Sequence, residues 1–231
     1  MKGPTDLEAL SRWSRTLRAA PARGKALPRL FFFTDPARVP DPARVVQRLP
    51  RGAGLVYRPF GAKDALEEGR RLVRLARRRG LAVLVGADAG LAARLMADGV
   101  HMPQRLAGRI TGLRRTHPRW RITCAAHSAS AIAAARRFGA DAVFVSAVFA
   151  SRSASAGRPM GALRFAALAH GARIGVYALG GVDAKSARML ARSGAAGLAA
   201  VEGLAGGDRN ALQHLASGQS DQTDPSDRIA L

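Results

Sequence analysis

His127 closes the apolar run RITCAAHS, and an imidazole is the side chain best suited to lift a proton from one atom of a substrate ring and return it to another, because it titrates near neutrality. A neighbouring loop could equally hold such a histidine by a hydrogen bond. Glu202, if the fold brought it across from His127, would complete an acid and base pair. The segment from Ser151 to Gly161 sets Ser151, Ser153 and Ser155 beside Arg152 and Arg158. Hydroxyls and guanidinium groups together suit an anionic ligand, although a solvated surface loop would have the same composition. Gly180 and Gly181 follow the run IGVYAL. Without side chains there, backbone N–H groups can approach a phosphate at the start of the next helix; a tight turn is the alternative.

These residues must be carried by something that places loop after loop on one side. Short apolar runs, RLFFFTD, GLVYRP, LAVLVG, GVHM, RITCAA, AVFVSA, IGVYAL and GLAAV, alternate with Arg- and Ala-rich stretches of helical length. Strands covered by helices on one side and by a core on the other read as continuous apolar segments. A doubly wound open sheet would share several of these features, and the number of runs decides for a (β/α)8 barrel, a TIM barrel of the α/β class. Ligands then sit at the C-terminal ends of the strands. The residues closing each run include Arg58, Asp88, His101, Gln104, His127, the stretch from Ser146 to Gly161, Gly180, Gly181, Ala200, Val201 and Glu202. His101, after a very short run, is expected to be structural. Asp88 stands where a helix begins and is expected to be its N-cap.

Residues 1–28 form an N-terminal extension in which Leu7, Leu10, Trp13 and Leu17 have helical spacing, so a cap or arm before the first strand is expected. The barrel is assigned to 29–206. The polar remainder, 207–231, is expected to be largely disordered. A chain of 231 residues, 48% hydrophobic, can bury one substantial core. Charged residues interrupt every apolar stretch before it reaches membrane-spanning length. Cys124 is the only cysteine and no apolar signal segment opens the sequence, which points to the cytosol.

The net charge of +21, from 37 Lys plus Arg against 16 Asp plus Glu, raises the question of nucleic acid. Aromatic residues make up 5% of the chain and are clustered, too few for a base-stacking platform. Specific recognition of nucleic acid is therefore not expected; salt-sensitive adhesion to polyanions is. A homo-oligomer is left open.

In order along the chain, FFFTD, Arg58, ADGVHMPQ at 97–104, AAHS at 125–128, GADAVFVSAVFASRSASAGRPMG at 139–161, YALGGV at 177–182 and GAAGLAAV at 194–201 resemble the thiamine phosphate synthase and thiazole tautomerase family. The resemblance covers about residues 29 to 206. It implies one of two activities in thiamine metabolism: a transferase joining a pyrimidine diphosphate to a thiazole phosphate, or an isomerase moving a proton on the thiazole phosphate. It also implies that His127 matches the acid and base of the tautomerase branch, and that Arg58 belongs to a segment binding the pyrimidine side.

The synthase pattern is broken at several places. Its Asn-Asp pair after strand three falls at Gly86 and Ala87, its second metal aspartate is absent after Gln104, where Arg105 and Leu106 follow, and its two lysines fall at Phe60 and Ala154. Glu202 replaces a serine beside the phosphate, where a carboxylate repels the ligand unless Arg58, Arg152 or Arg158 neutralises it. Mg²⁺ needs carboxylates alongside phosphate oxygens. The expectation is thus a phosphorylated heteroaromatic ligand, metal-independent isomerase-type chemistry and no cofactor, with Mg²⁺ only if the chain is a true synthase. A ligand-binding or regulatory barrel without catalysis is the remaining alternative.

Overall fold

The structure is a computed structural model that describes residues 5–17, 26–153 and 157–206. The segment 207–231, and Ser155 with the lysine position at Ala154, lie outside the described residues. Eight strands close into one parallel barrel in sequence order: β1 Leu30–Phe33, β2 Gly54–Tyr57, β3 Ala82–Gly86, β4 Gly99–Met102, β5 Arg121–Ala126, β6 Ala142–Val145, β7 Gly175–Ala178 and β8 Gly197–Ala200. β1 pairs with β8 with Phe31 opposite Ala199, which leaves no free edge. The eight strands coincide with the eight apolar runs.

The helices are α1 Asp6–Thr16, α2 Pro42–Arg48, α3 Ala65–Arg78, α4 Ala89–Arg94, α5 Ile110–Thr116, α6 Ala129–Phe138, α7 Gly161–Gly171, α8 Ala184–Ala187 and α9 Glu202–Ala205. Four start on a side-chain cap in the loop that follows a strand. Asp41, Asp88, Ser128 and Asp183 each accept a backbone N–H three residues on, which satisfies a donor the helix cannot. This strand, cap and helix rhythm sets the last residue before each cap at the barrel mouth. Asp88 is the N-cap of α4, as its position indicated.

Inside the barrel the period-two alternation of β1 turns Phe31 and Phe33 to the interior, where they meet Phe144 at 5.2 and 4.9 Å between ring centroids. His101 and Tyr177 complete this edge-to-face cluster. α1 packs against β1, β8, α8 and α9. It therefore occupies the outer layer beside the closing strands and does not cap an end of the barrel. Leu10 and Leu17 bury their side chains there, Asp6 accepts the N–H of Ala184, and a capping box between Thr5 and Glu8 starts the helix.

Candidate functional site

The strand ends surround a cavity of about 1750 Å³. Phe33 and His101 lie at its floor, and Arg58, His127, Arg152, Gly181 and Glu202 are on its walls. Asp88, Ser151, Ser153, Gly180, Ala200 and Val201 line it as well. Gln104 and Arg158 are not among its lining residues.

His127 sits immediately after β5 and before the Ser128 cap of α6, so its backbone is fixed from both sides. Its N–H donates to the Gln104 side-chain oxygen at 3.1 Å. Its Nδ1 lies 2.6 Å from the carbonyl oxygen of Ser146. A carbonyl can only accept, so Nδ1 carries the hydrogen and the neutral ring keeps its lone pair on Nε2. The residue is solvent-exposed at the cavity wall, where Nε2 can receive a proton.

His101 differs in every respect. It is buried, its Nδ1 is 3.0 Å from the Thr123 hydroxyl, and its ring packs between Phe33 and Phe144. Burial, with the Arg58 charge adding to it, pushes its pKa down to about 3. It stays neutral near pH 7 and does not take up a second proton.

Arg58 is anchored: its N–H and Nε bond Thr34 at 2.8 and 2.7 Å, and its guanidinium reaches Asp35 at 3.4 Å. Asp35 is also held by Arg38 at 2.7 and 2.9 Å. Burial pushes Arg58 down to about 10, with Arg38 acting in the same direction and Asp35 opposing both. The guanidinium carbon stands 5.5 Å from the Phe33 ring centroid and 4.9 Å from that of Phe60. Phe33 and Phe60 give the cavity an aromatic surface that sequence reasoning did not select. Phe60 is 64% exposed in the Arg-Pro-Phe-Gly turn, and an aromatic so placed is the signal that could have found it.

Glu202 opens α9 and is paired with Arg152, so its charge is neutralised by one of the three arginines that sequence reasoning considered. It has no hydrogen bond to His127 among the described residues; the two line the same cavity from strands three places apart in the barrel.

Gly180 and Gly181 have φ of 90° and 64°, and a Cβ on Gly181 would lie 2.3 Å from the Ala150 oxygen. Their first role is thus to let the loop after β6 press against the loop after β7, where Phe149 donates to Gly180 at 3.0 Å. The start of α8 differs from the phosphate end that was expected. Asp183 accepts from Ser186 and Asp6 accepts from Ala184, so two carboxylates fill it. The N–H groups of Gly180 and Gly181 have no acceptor among the described residues, which makes the glycine loop itself the better anion donor set.

The donor set does not fit Mg²⁺. Gly86 and Ala87 offer no side-chain oxygen, Asp88 caps α4, and Asp35, Asp183 and Glu202 are engaged as described. No group of three His, Cys, Asp or Glu with metal-binding placement occurs among the described residues.

The sequence profile of thiamine monophosphate synthase matches residues 30–204, which is the whole barrel. The chain belongs to this family. A thiamine-phosphate synthase of Synechococcus sp. is 30% identical over 188 residues, covering 76% of this chain and 52% of that protein, so the chain spans about half of that relative's length. A thiamine-phosphate synthase of Chloroflexus aurantiacus is 31% identical over 152 residues, 63% of this chain and 68% of that one. Thiamine phosphate pyrophosphorylase from Pyrococcus furiosus superposes with a TM-score of 0.64 at 22% identity, over 76% of this chain and 85% of that chain, a likeness of fold. Phe60, Gly86, Ala87 and Glu202, the positions where the resemblance implies other residues in a synthase, all line the cavity. No helix among the described residues is long and apolar enough to cross a membrane.

Proposed function

We propose that this chain binds a thiazole-phosphate-like heteroaromatic phosphate at the barrel mouth and moves a proton on its ring without a metal, an isomerase-type reaction in thiamine metabolism. The observation that carries this reading is His127, whose Nδ1–H is held by the Ser146 carbonyl at 2.6 Å while Nε2 is left to the cavity. Nε2 takes a proton from one ring position and the resulting imidazolium returns it at another, so the step balances with no other reactant. The phosphate is received by the free N–H groups of the Gly180 and Gly181 loop, with Arg152 nearby. The ring lies against Phe33, Phe60 and the Arg58 guanidinium, flat surfaces suited to an aromatic ligand.

The second reading, a working synthase, is supported by the names of the relatives and opposed by the engaged or missing carboxylates. One experiment separates them. Thiazole phosphate incubated with the protein in heavy water should gain ring or side-chain deuterium, and His127→Asn should lower that rate about 10² to 10⁴-fold while phosphate affinity persists. Thiamine phosphate formed from the pyrimidine diphosphate and Mg²⁺ at an ordinary enzymatic rate would favour the synthase. Ligand binding with neither reaction would leave a non-catalytic binding barrel.

A further inference from the structure

Charge on this barrel is sorted by end. Each helix runs back antiparallel to the strand before it, so helix starts lie at the mouth and helix ends at the opposite face. Among the described residues, nearly every carboxylate is at the mouth end, in a strand-end loop, an N-cap or a first helical turn. The exceptions are Asp98 and Asp141, and both are consumed: Asp98 accepts from Val83 and pairs with Arg121, and Asp141 accepts from Ile122 and pairs with Arg114. The opposite face has arginine in the last turns of α1, α3, α4, α5 and α6. Helix dipoles favour such cations and would account for those alone. They do not account for Arg51, Arg119, Arg173 and Arg192, which lie exposed in the loops feeding the strands, with no hydrogen bond or ion pair among the described residues. A cleft of about 500 Å³ opens on this face, lined by Arg15, Arg29, Arg51 and Arg121, with Asp98 the one carboxylate that lines it among the described residues.

We infer that this face is a docking surface for nucleic acid, held through its phosphate backbone and without reading of bases. Guanidinium groups bind phosphate oxygens in pairs, and a net positive face with a charged cleft gives them a concave seat. Base stacking is excluded by where the aromatic rings are. The phenylalanines and tyrosines of the strands are buried, and Trp120, beside Arg119, stacks on His117 at 3.7 Å. An anionic bilayer is the competing polyanion, and a face that enters it needs apolar side chains to insert. The large apolar side chains exposed on this side are Met96 and Met189, and the apolar stripe of α1 is already packed on the barrel.

The test uses a short fluorescein-labelled DNA duplex and fluorescence anisotropy across about 50 to 200 mM salt. Wild-type protein should bind, more weakly as salt rises. The combined variant Arg51→Gln, Arg119→Gln, Arg173→Gln and Arg192→Gln should lose at least about tenfold in affinity and reduce the salt slope by about 3 to 4. Arg70→Gln, Arg74→Gln, Arg105→Gln and Arg109→Gln together remove the same charge elsewhere and should retain binding. Hydrogen exchange on the unaltered protein provides a readout that needs no variant: the duplex should protect 49–53, 117–121 and 172–174. Equal loss in both variants, protection at the mouth, or binding to phosphatidylglycerol vesicles without binding to the duplex would each overturn the inference.

Discussion

Replacing Glu202 by Gln separates the stability of the mouth from its affinity for anions. The Glu202 and Arg152 side chains are 32% and 74% exposed, so their ion pair is screened by water and contributes under about 1 kcal/mol. In a barrel of this size that corresponds to a melting shift below about 2 to 4 °C. The effect on an anionic ligand is larger, because the carboxylate lies in the same cavity as the glycine loop. For a phosphate about 7 Å away, removing one negative charge is worth about 0.6 kcal/mol at the dielectric constant of water and about 2.4 kcal/mol at an effective value of 20. Affinity should therefore rise roughly 3- to 60-fold. Arg152, released from its partner, adds attraction in the same direction. Isothermal titration with thiazole phosphate and with inorganic phosphate, repeated at high ionic strength where the gain must shrink, measures this. Unchanged or weaker affinity in a variant that melts normally would refute the placement of phosphate beside Glu202.

His101 predicts an acid limb. Its folded pKa, about 3, lies below the roughly 6.5 of an exposed imidazole, so between those values the unfolded chain binds the extra proton and stability falls as pH falls. The slope from this group is at most about 1.4 kcal/mol per pH unit, and melting curves of His101→Gln between pH 7 and pH 4, roughly the window concerned, should be flatter than wild type. Tyr177 has a buried hydroxyl with no hydrogen-bond partner among the described residues, and burial raises its pKa. Tyr177→Phe keeps the ring contacts and should leave stability equal or raise it by about 1 kcal/mol in denaturant titration; a loss beyond that would show that the hydroxyl is bonded, for example to a buried water.

The barrel was legible because its strands are short unbroken apolar runs and α2, α4, α6 and α8 begin on Asp or Ser caps, both local signals. Residues at strand ends followed from the same periodicity, which is why His127, Glu202 and the glycine pair could be named from sequence. Their partners could not. Nothing in sequence spacing reveals that Ser146 fixes the His127 tautomer, or that Thr34 and Asp35 anchor Arg58, because these bonds join different strands. The glycine pair was assigned to the start of the next helix on dipole grounds, and the structure puts Asp183 and Asp6 there; Asp6 comes from α1, far away in the chain. The sorting of carboxylates to the mouth, which leaves arginines without them on the other face, was likewise hidden, since outer helix faces and helix ends look alike in composition.

The departures at the mouth share a backbone feature that bears on what they mean. Ala87 has φ of 63° and Phe60 has φ of 49°, left-handed conformations that cost an ordinary side chain about 1 to 2 kcal/mol and that Asn, Asp and Gly accept more readily. Ala87 is held there by its N–H, which donates to the His101 carbonyl at 2.9 Å. The turn after β3 therefore has a shape that would suit the Asn-Asp pair the resemblance implies, with Gly86 and Ala87 in its place. Phe60 stands at a lysine position of the resemblance and lays its ring over Arg58, so a flexible charge is exchanged for a flat apolar surface on the guanidinium. Such side chains on this backbone support the proposed heteroaromatic binding over diphosphate transfer at this mouth.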